Sequence, residues 1–79
     1  MTLTILYFAQ LAEERGAAQE RLTGDYADLA ALYNALHAQH HFSLAQNQLR
    51  VARNQMFAEW TDAPQDGDEI AFILPVSGG

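Results

Sequence analysis

Apolar and β-favouring residues dominate positions 2–8, Thr-Leu-Thr-Ile-Leu-Tyr-Phe, and the run predicts a strand. Leu3, Ile5 and Tyr7 fall on one face of it; Thr2, Thr4, Leu6 and Phe8 fall on the other. Residues 9–15 read as a short helix that Gly16 ends. Residues 19–23 give a weaker second strand, and Gly24 and Asp25 signal a break. Asp25 is placed to cap the next helix, with Asp28 in its first turn near the positive end of the dipole. Leu29, Leu32, Tyr33 and Leu36 follow the i, i+3, i+4, i+7 stripe of an amphipathic helix running to about His40. Residues 42–48 are irregular. Residues 49–53 and 55–60 read as short strands around Asn54. Pro64-Gln65-Asp66-Gly67 is a turn, and residues 69–74 are the last strand.

One long helix and one mixed sheet make an α+β layer arrangement. Strand parity then has a consequence. If Leu3, Ile5 and Tyr7 face the helix, Leu6 and Phe8 lie on the open face. If Ile70, Phe72 and Leu74 face the helix, Ala71 and Ile73 lie on the open face. Unless a loop covers it, a contiguous apolar patch of that kind marks a binding surface. Leu6, Phe8 and Ile73, with Phe57 from the neighbouring hairpin, are its expected members.

Composition narrows the partners. The 79 residues suit one domain with a modest core, and 49% hydrophobic content argues against disorder. The net charge is −6 and all four basic residues are arginines, so nucleic acid and anionic membranes are excluded as expected partners and a more basic protein is favoured. With no cysteine there is no disulfide framework, thiolate metal site or cysteine nucleophile. No apolar run approaches the ~20 residues of a membrane span. The first residues lack the basic region of a secretion signal, so a cytoplasmic location is expected. His37, His40 and His41 have a spacing that can hold zinc, but a polar last turn facing the helix dipole is the simpler reading. Asp66, Asp68 and Glu69 lack calcium-loop spacing and read as solvated turn residues, and Trp60 reads as packing. No phosphate loop, nucleophile elbow or paired-carboxylate site is present.

The chain stops on Gly78-Gly79, directly after an apolar strand and Pro75-Val76-Ser77. Such a tail can thread a narrow channel and present a bare carboxylate, because no side chain blocks the approach. Three segments in order, Tyr7-Phe8-Ala9-Gln10-Leu11-Ala12-Glu13, Asp66-Gly67-Asp68-Glu69-Ile70-Ala71-Phe72 and Pro75-Val76-Ser77-Gly78-Gly79, resemble the ubiquitin-like β-grasp sulfur carriers. The family they are most similar to is MoaD, the small subunit of molybdopterin synthase. Ala12 and Arg53 depart from its usual residues.

The resemblance implies a β-grasp domain over residues 1–74, a mixed sheet of four to five strands on one main helix. It implies a flexible functional tail over residues 75–79. It makes Gly79 the covalent site of adenylation and thiocarboxylate formation, with Gly78 giving the tail access, and sulfur passing to a cyclic pyranopterin precursor. It places Leu74, Pro75, Val76 and Ser77 with Leu6, Phe8, Phe57 and Ile73 in the partner interface. The implied partners are a MoaE-like large synthase subunit in a heterotetramer, a MoeB-like (E1-like) adenylyltransferase that uses ATP, and a sulfur donor protein. No cofactor is expected on this chain itself, and the active site is expected on the large subunit. A carrier for thiamine synthesis or tRNA thiolation, or a ubiquitin-like modifier, are the alternatives, since fold alone does not separate them.

Overall fold

The computed structural model describes residues 1–75. The elements are β1 (Thr2–Tyr7), α1 (Ala9–Arg15), β2 (Gln19–Thr23), α2 (Leu29–His40), β3 (Arg50–Arg53), β4 (Met56–Ala58) and β5 (Glu69–Ile73). A single 3₁₀ turn, Gln46–Gln48, lies between α2 and β3. The strands form one sheet in the order β2-β1-β5-β3-β4. The central pair, β1 and β5, is parallel, and every other pair is antiparallel. This mixed five-stranded sheet on one main helix is the expected β-grasp arrangement.

The core is the meeting of two periodicities. Leu3, Ile5 and Tyr7 of β1 and Ile70 and Phe72 of β5 point to the helix side, and each is at most 2% exposed. The α2 stripe of Leu29, Leu32, Tyr33 and Leu36 lies against them, equally buried. Tyr33 meets Phe72 edge-on at 4.9 Å between ring centroids, and Trp60 stacks on Phe72 at 6.1 Å, which is the expected packing role for Trp60. The Tyr33 hydroxyl donates to the Leu44 carbonyl at 2.6 Å and so ties the loop after α2 to the core.

Beyond one-residue differences at Phe8, Gln55 and Leu74, which lie just outside β1, β4 and β5, the structure corrects the sequence reading at four places. Asp25 does not cap α2: its carboxylate takes the N-terminal ammonium at 3.3 Å. Asp28 is the cap instead, accepting from the Ala31 N–H at 2.7 Å. The preceding α2 donors, Leu29 and Ala30, go to the carbonyls of Asp62 and Trp60. That engagement also explains the second correction. The fourth strand ends at Ala58 rather than Trp60, because the chain there turns inward to seat Trp60 on Phe72 and cap the helix. Thirdly, Leu49, expected to begin the third strand, precedes β3 as the C-cap of the 3₁₀ turn Gln46–Gln48, which itself falls in the stretch expected to be irregular. Finally, Asp68 is 9% exposed rather than solvated. It accepts from the Gln65 N–H at 2.8 Å and from Asn54 Nδ2 at 3.0 Å, and Arg53 lies 3.7 Å away.

Candidate docking face and tail exit

On the side of the sheet away from α2, strand register builds a trough. Leu6 pairs with Ala71, Ala71 with Ala52, and Ala52 with Phe57, one residue from each of four adjacent strands. The two alanines make a low floor between the larger Leu6 and Phe57. Phe8, Ile73, Gln55 and Glu69 complete the lining, and the groove holds about 220 Å³. Ligand pockets run from roughly 300 Å³ upward. This groove is sized for one or two apolar side chains of another protein. Among the described residues nothing buries its rim: Phe8 and Phe57 remain 47% and 66% exposed. Glu69 is the one ionisable residue of the lining, which is otherwise apolar apart from Gln55.

The structure therefore brings Leu6, Phe8, Phe57 and Ile73 to one groove. Leu74 differs from them, because it packs half-buried against the core. Pro75 is exposed. Val76, Ser77, Gly78 and Gly79, which carry the expected tail and the covalent site, lie outside the described residues. Ile73 lies opposite Arg50 and lines the groove with Phe8, so β5 leaves the sheet at the end of the groove. Sequence reasoning missed Ala52, Gln55, Glu69 and Arg50 as members of this face. Ala52 had a signal, a small residue two positions from Asn54 on an alternating strand; the others depended on register.

Away from the groove, the polar groups are structural. Tyr7 donates to Glu20 at 2.9 Å, and Arg15 forms an ion pair with the same carboxylate. Burial raises the Glu20 pKa, but hydrogen bonds from Arg15 and Tyr7 outweigh it and hold the group below its ordinary value. Tyr7 is pushed up, by burial first and then by Glu20. Burial pushes Tyr33 up to about 12. His37 packs beside Tyr33, His40 beside Phe42, and His41 is the left-handed C-cap of α2. Among the described residues, no three His, Asp or Glu side chains converge as a metal site requires. No described helix is long and apolar enough to cross a membrane.

The strand order on one main helix defines a ubiquitin-like β-grasp domain, and its last, central strand leaves at the end of the apolar groove. The chain is a member of the ThiS family, which it matches over residues 5–79. It is 36% identical over 80 residues to the molybdopterin synthase sulfur carrier subunit of Haemophilus influenzae. It is 32% identical over 80 residues to that of Escherichia coli. Each alignment covers 98% of this chain and 99% of the relative. Among solved structures, SAMP1 from Haloferax volcanii matches with a TM-score of 0.80 and 29% identity over 100% of both chains.

Proposed function

We propose that this chain is the sulfur carrier subunit of a molybdopterin synthase, with Gly79 as the residue that carries the sulfur. The observation that supports it most is the near full-length match to two relatives bearing that name. The chemistry suits the residues. A carboxylate is a poor electrophile until one oxygen becomes part of a leaving group. ATP supplies that group: an E1-like adenylyltransferase joins AMP to the Gly79 carboxylate and releases pyrophosphate. The outer sulfur of a persulfide on a sulfur donor protein then displaces AMP to give an acyl disulfide, and a second thiol cleaves its S–S bond, which releases the thiocarboxylate and leaves a disulfide between the two thiols. Gly78 keeps the approach narrow, and Pro75, Val76 and Ser77 span from β5 to the partner's active site. The large synthase subunit seats its apolar side chains in the groove of Leu6, Phe8, Phe57 and Ile73 and receives the tail. The carrier positions sulfur, and the pyranopterin chemistry belongs to the large subunit.

The second reading is a ubiquitin-like protein modifier, favoured by the full-length likeness to SAMP1. Both readings use the same activated glycine and differ in the acceptor. Reconstitution separates them. The chain, its adenylyltransferase, ATP, a sulfur donor and the large subunit should convert precursor to a dithiolene, and removal of Gly79 should abolish the conversion. Dithiolene formation by the truncated chain would overturn the carrier reading. Transfer to protein lysines without dithiolene formation would favour the modifier.

A further inference from the structure

The four arginines divide into two kinds. Arg15 and Arg53 have carboxylates of their own, Glu20 and Asp68. Arg21 and Arg50 make no ion pair among the described residues, and both are exposed. Register places both on the groove side of the sheet. Arg21 of β2 pairs with Thr4, on the same face as Leu6. Arg50 of β3 pairs with Ile73, at the end where the last strand leaves. The Arg50 guanidinium carbon sits 4.4 Å above the centre of the exposed Phe57 ring. This contact holds the cation at the groove rim without neutralising it, since an aromatic face attracts a cation but carries no net charge. Of the ten acidic residues, only Glu69 occupies an open-face strand position. A chain of net charge −6 thus presents two arginines against one glutamate on the strands of its groove side, Arg50 beside Ile73 at one end and Arg21 across Thr4 from Glu69 at the other.

We propose that Arg21 and Arg50 are charge keys for partner choice: the protein surface that docks on this face has an apolar centre and carboxylates facing the two arginines. This rests on reading the groove as the docking site for the large subunit. It reverses the simple expectation from net charge, in which an acidic chain meets a basic surface. Basic groups on the partner belong elsewhere, opposite the acidic remainder of the molecule. Rim charges of this kind set encounter rate and exclude wrong partners. A guanidinium already stacked on Phe57 loses less freedom on pairing with a carboxylate than a free side chain would.

The absence of lysine makes the test direct. Arg21→Lys and Arg50→Lys each keep the charge and introduce the one side-chain amine of the chain. With the purified large subunit from the same organism, a carbodiimide should join that amine to an Asp or Glu of the partner. The bond is an amide formed with loss of water, which the carbodiimide takes up as a urea. The native chain, whose amine is Met1, is the control. In parallel, the double variant Arg21→Glu/Arg50→Glu should bind at least about tenfold more weakly. Added salt should weaken the native complex and strengthen that of the double variant. Thermal melts of the variants should stay within a few degrees of the native chain, since both arginines are exposed and the Arg50–Phe57 contact is the one native interaction among the described residues that Arg50→Glu removes. If the native complex forms, yet neither amine cross-links to it or the charge-reversed chain binds equally well, the proposal is overturned and the carrier reading stands. If the native chain does not bind the large subunit, both fall. If charge reversal instead dissolves a homodimer seen by sedimentation, the occupant is a second copy and the proposal is also overturned.

Discussion

At position 55 the backbone asks for a glycine that the chain does not supply. The hairpin between β3 and β4 turns through Asn54 and Gln55 at φ of 53° and 71°, both left-handed. Two-residue hairpins with this geometry favour Asn-Gly, because the second position strains any residue with a Cβ. Gln55→Gly should raise stability by ~0.5–1 kcal/mol, the relief of strain exceeding the entropy glycine adds to the unfolded chain. A urea melt reads this directly, and an unchanged or lower midpoint would contradict it. A second contrast at this scale separates face from core. Phe8→Ala or Ile73→Asp should weaken the partner complex by ~2 kcal/mol or more while barely moving the melt of the free chain. Ile5→Ala and Leu32→Ala, both 0% exposed, should each destabilise the fold by roughly 2–5 kcal/mol. If Phe8→Ala unfolded the chain and left the affinity of the folded fraction unchanged, the face assignment would be reversed.

At the scale of elements, α1, β1 and β2 are pinned together by one carboxylate. Glu20 receives Tyr7 from β1 and Arg15 from the end of α1. Its pKa is held low in the fold, so its contribution is fully present above the unfolded value and is lost as pH falls through the folded one. Acidification from about pH 5 to about pH 3 should therefore destabilise the native chain more steeply than Glu20→Gln. Equal slopes in denaturant melts across that range would refute the role. Asp28→Ala should cost ~1 kcal/mol through loss of the α2 cap, whereas Asp25→Ala should cost much less. The same two residues mark what the sequence could reveal. The α2 stripe and the parity of β1 and β5 were legible, because periods of 3.6 and 2 survive in any context. The choice of Asp28 over Asp25 was not, since it depends on carbonyls of Trp60 and Asp62 some 30 positions away. The burial of Asp68 depends likewise on Asn54 and Arg53. Of the candidate face, Leu6, Phe8, Phe57 and Ile73 were readable from alternation. Its alanine floor and arginine rim required the register of β3 between β5 and β4.

For the whole molecule, charge and shape divide the labour. The helix side closes a core, the open side offers an apolar trough on a sheet face that also carries Arg21 and Arg50, and the central strand leads out at its end. The lysine-free composition also bears on the modifier reading, because such a chain has no side-chain amine on which to build chains of itself. What unites the family match, the docking face and the Gly-Gly ending is the claim that Gly79 exists to be activated and sulfurated. The most direct measurement is the intact mass of the chain after incubation with its adenylyltransferase, ATP and a sulfur donor. The native chain should gain the mass of sulfur replacing oxygen, located at Gly79 by fragmentation. Neither a chain lacking Gly79 nor one extended beyond it should gain that mass. A native chain left unmodified under conditions that sulfurate an established carrier, or equal modification of the truncated chain, would contradict the claim.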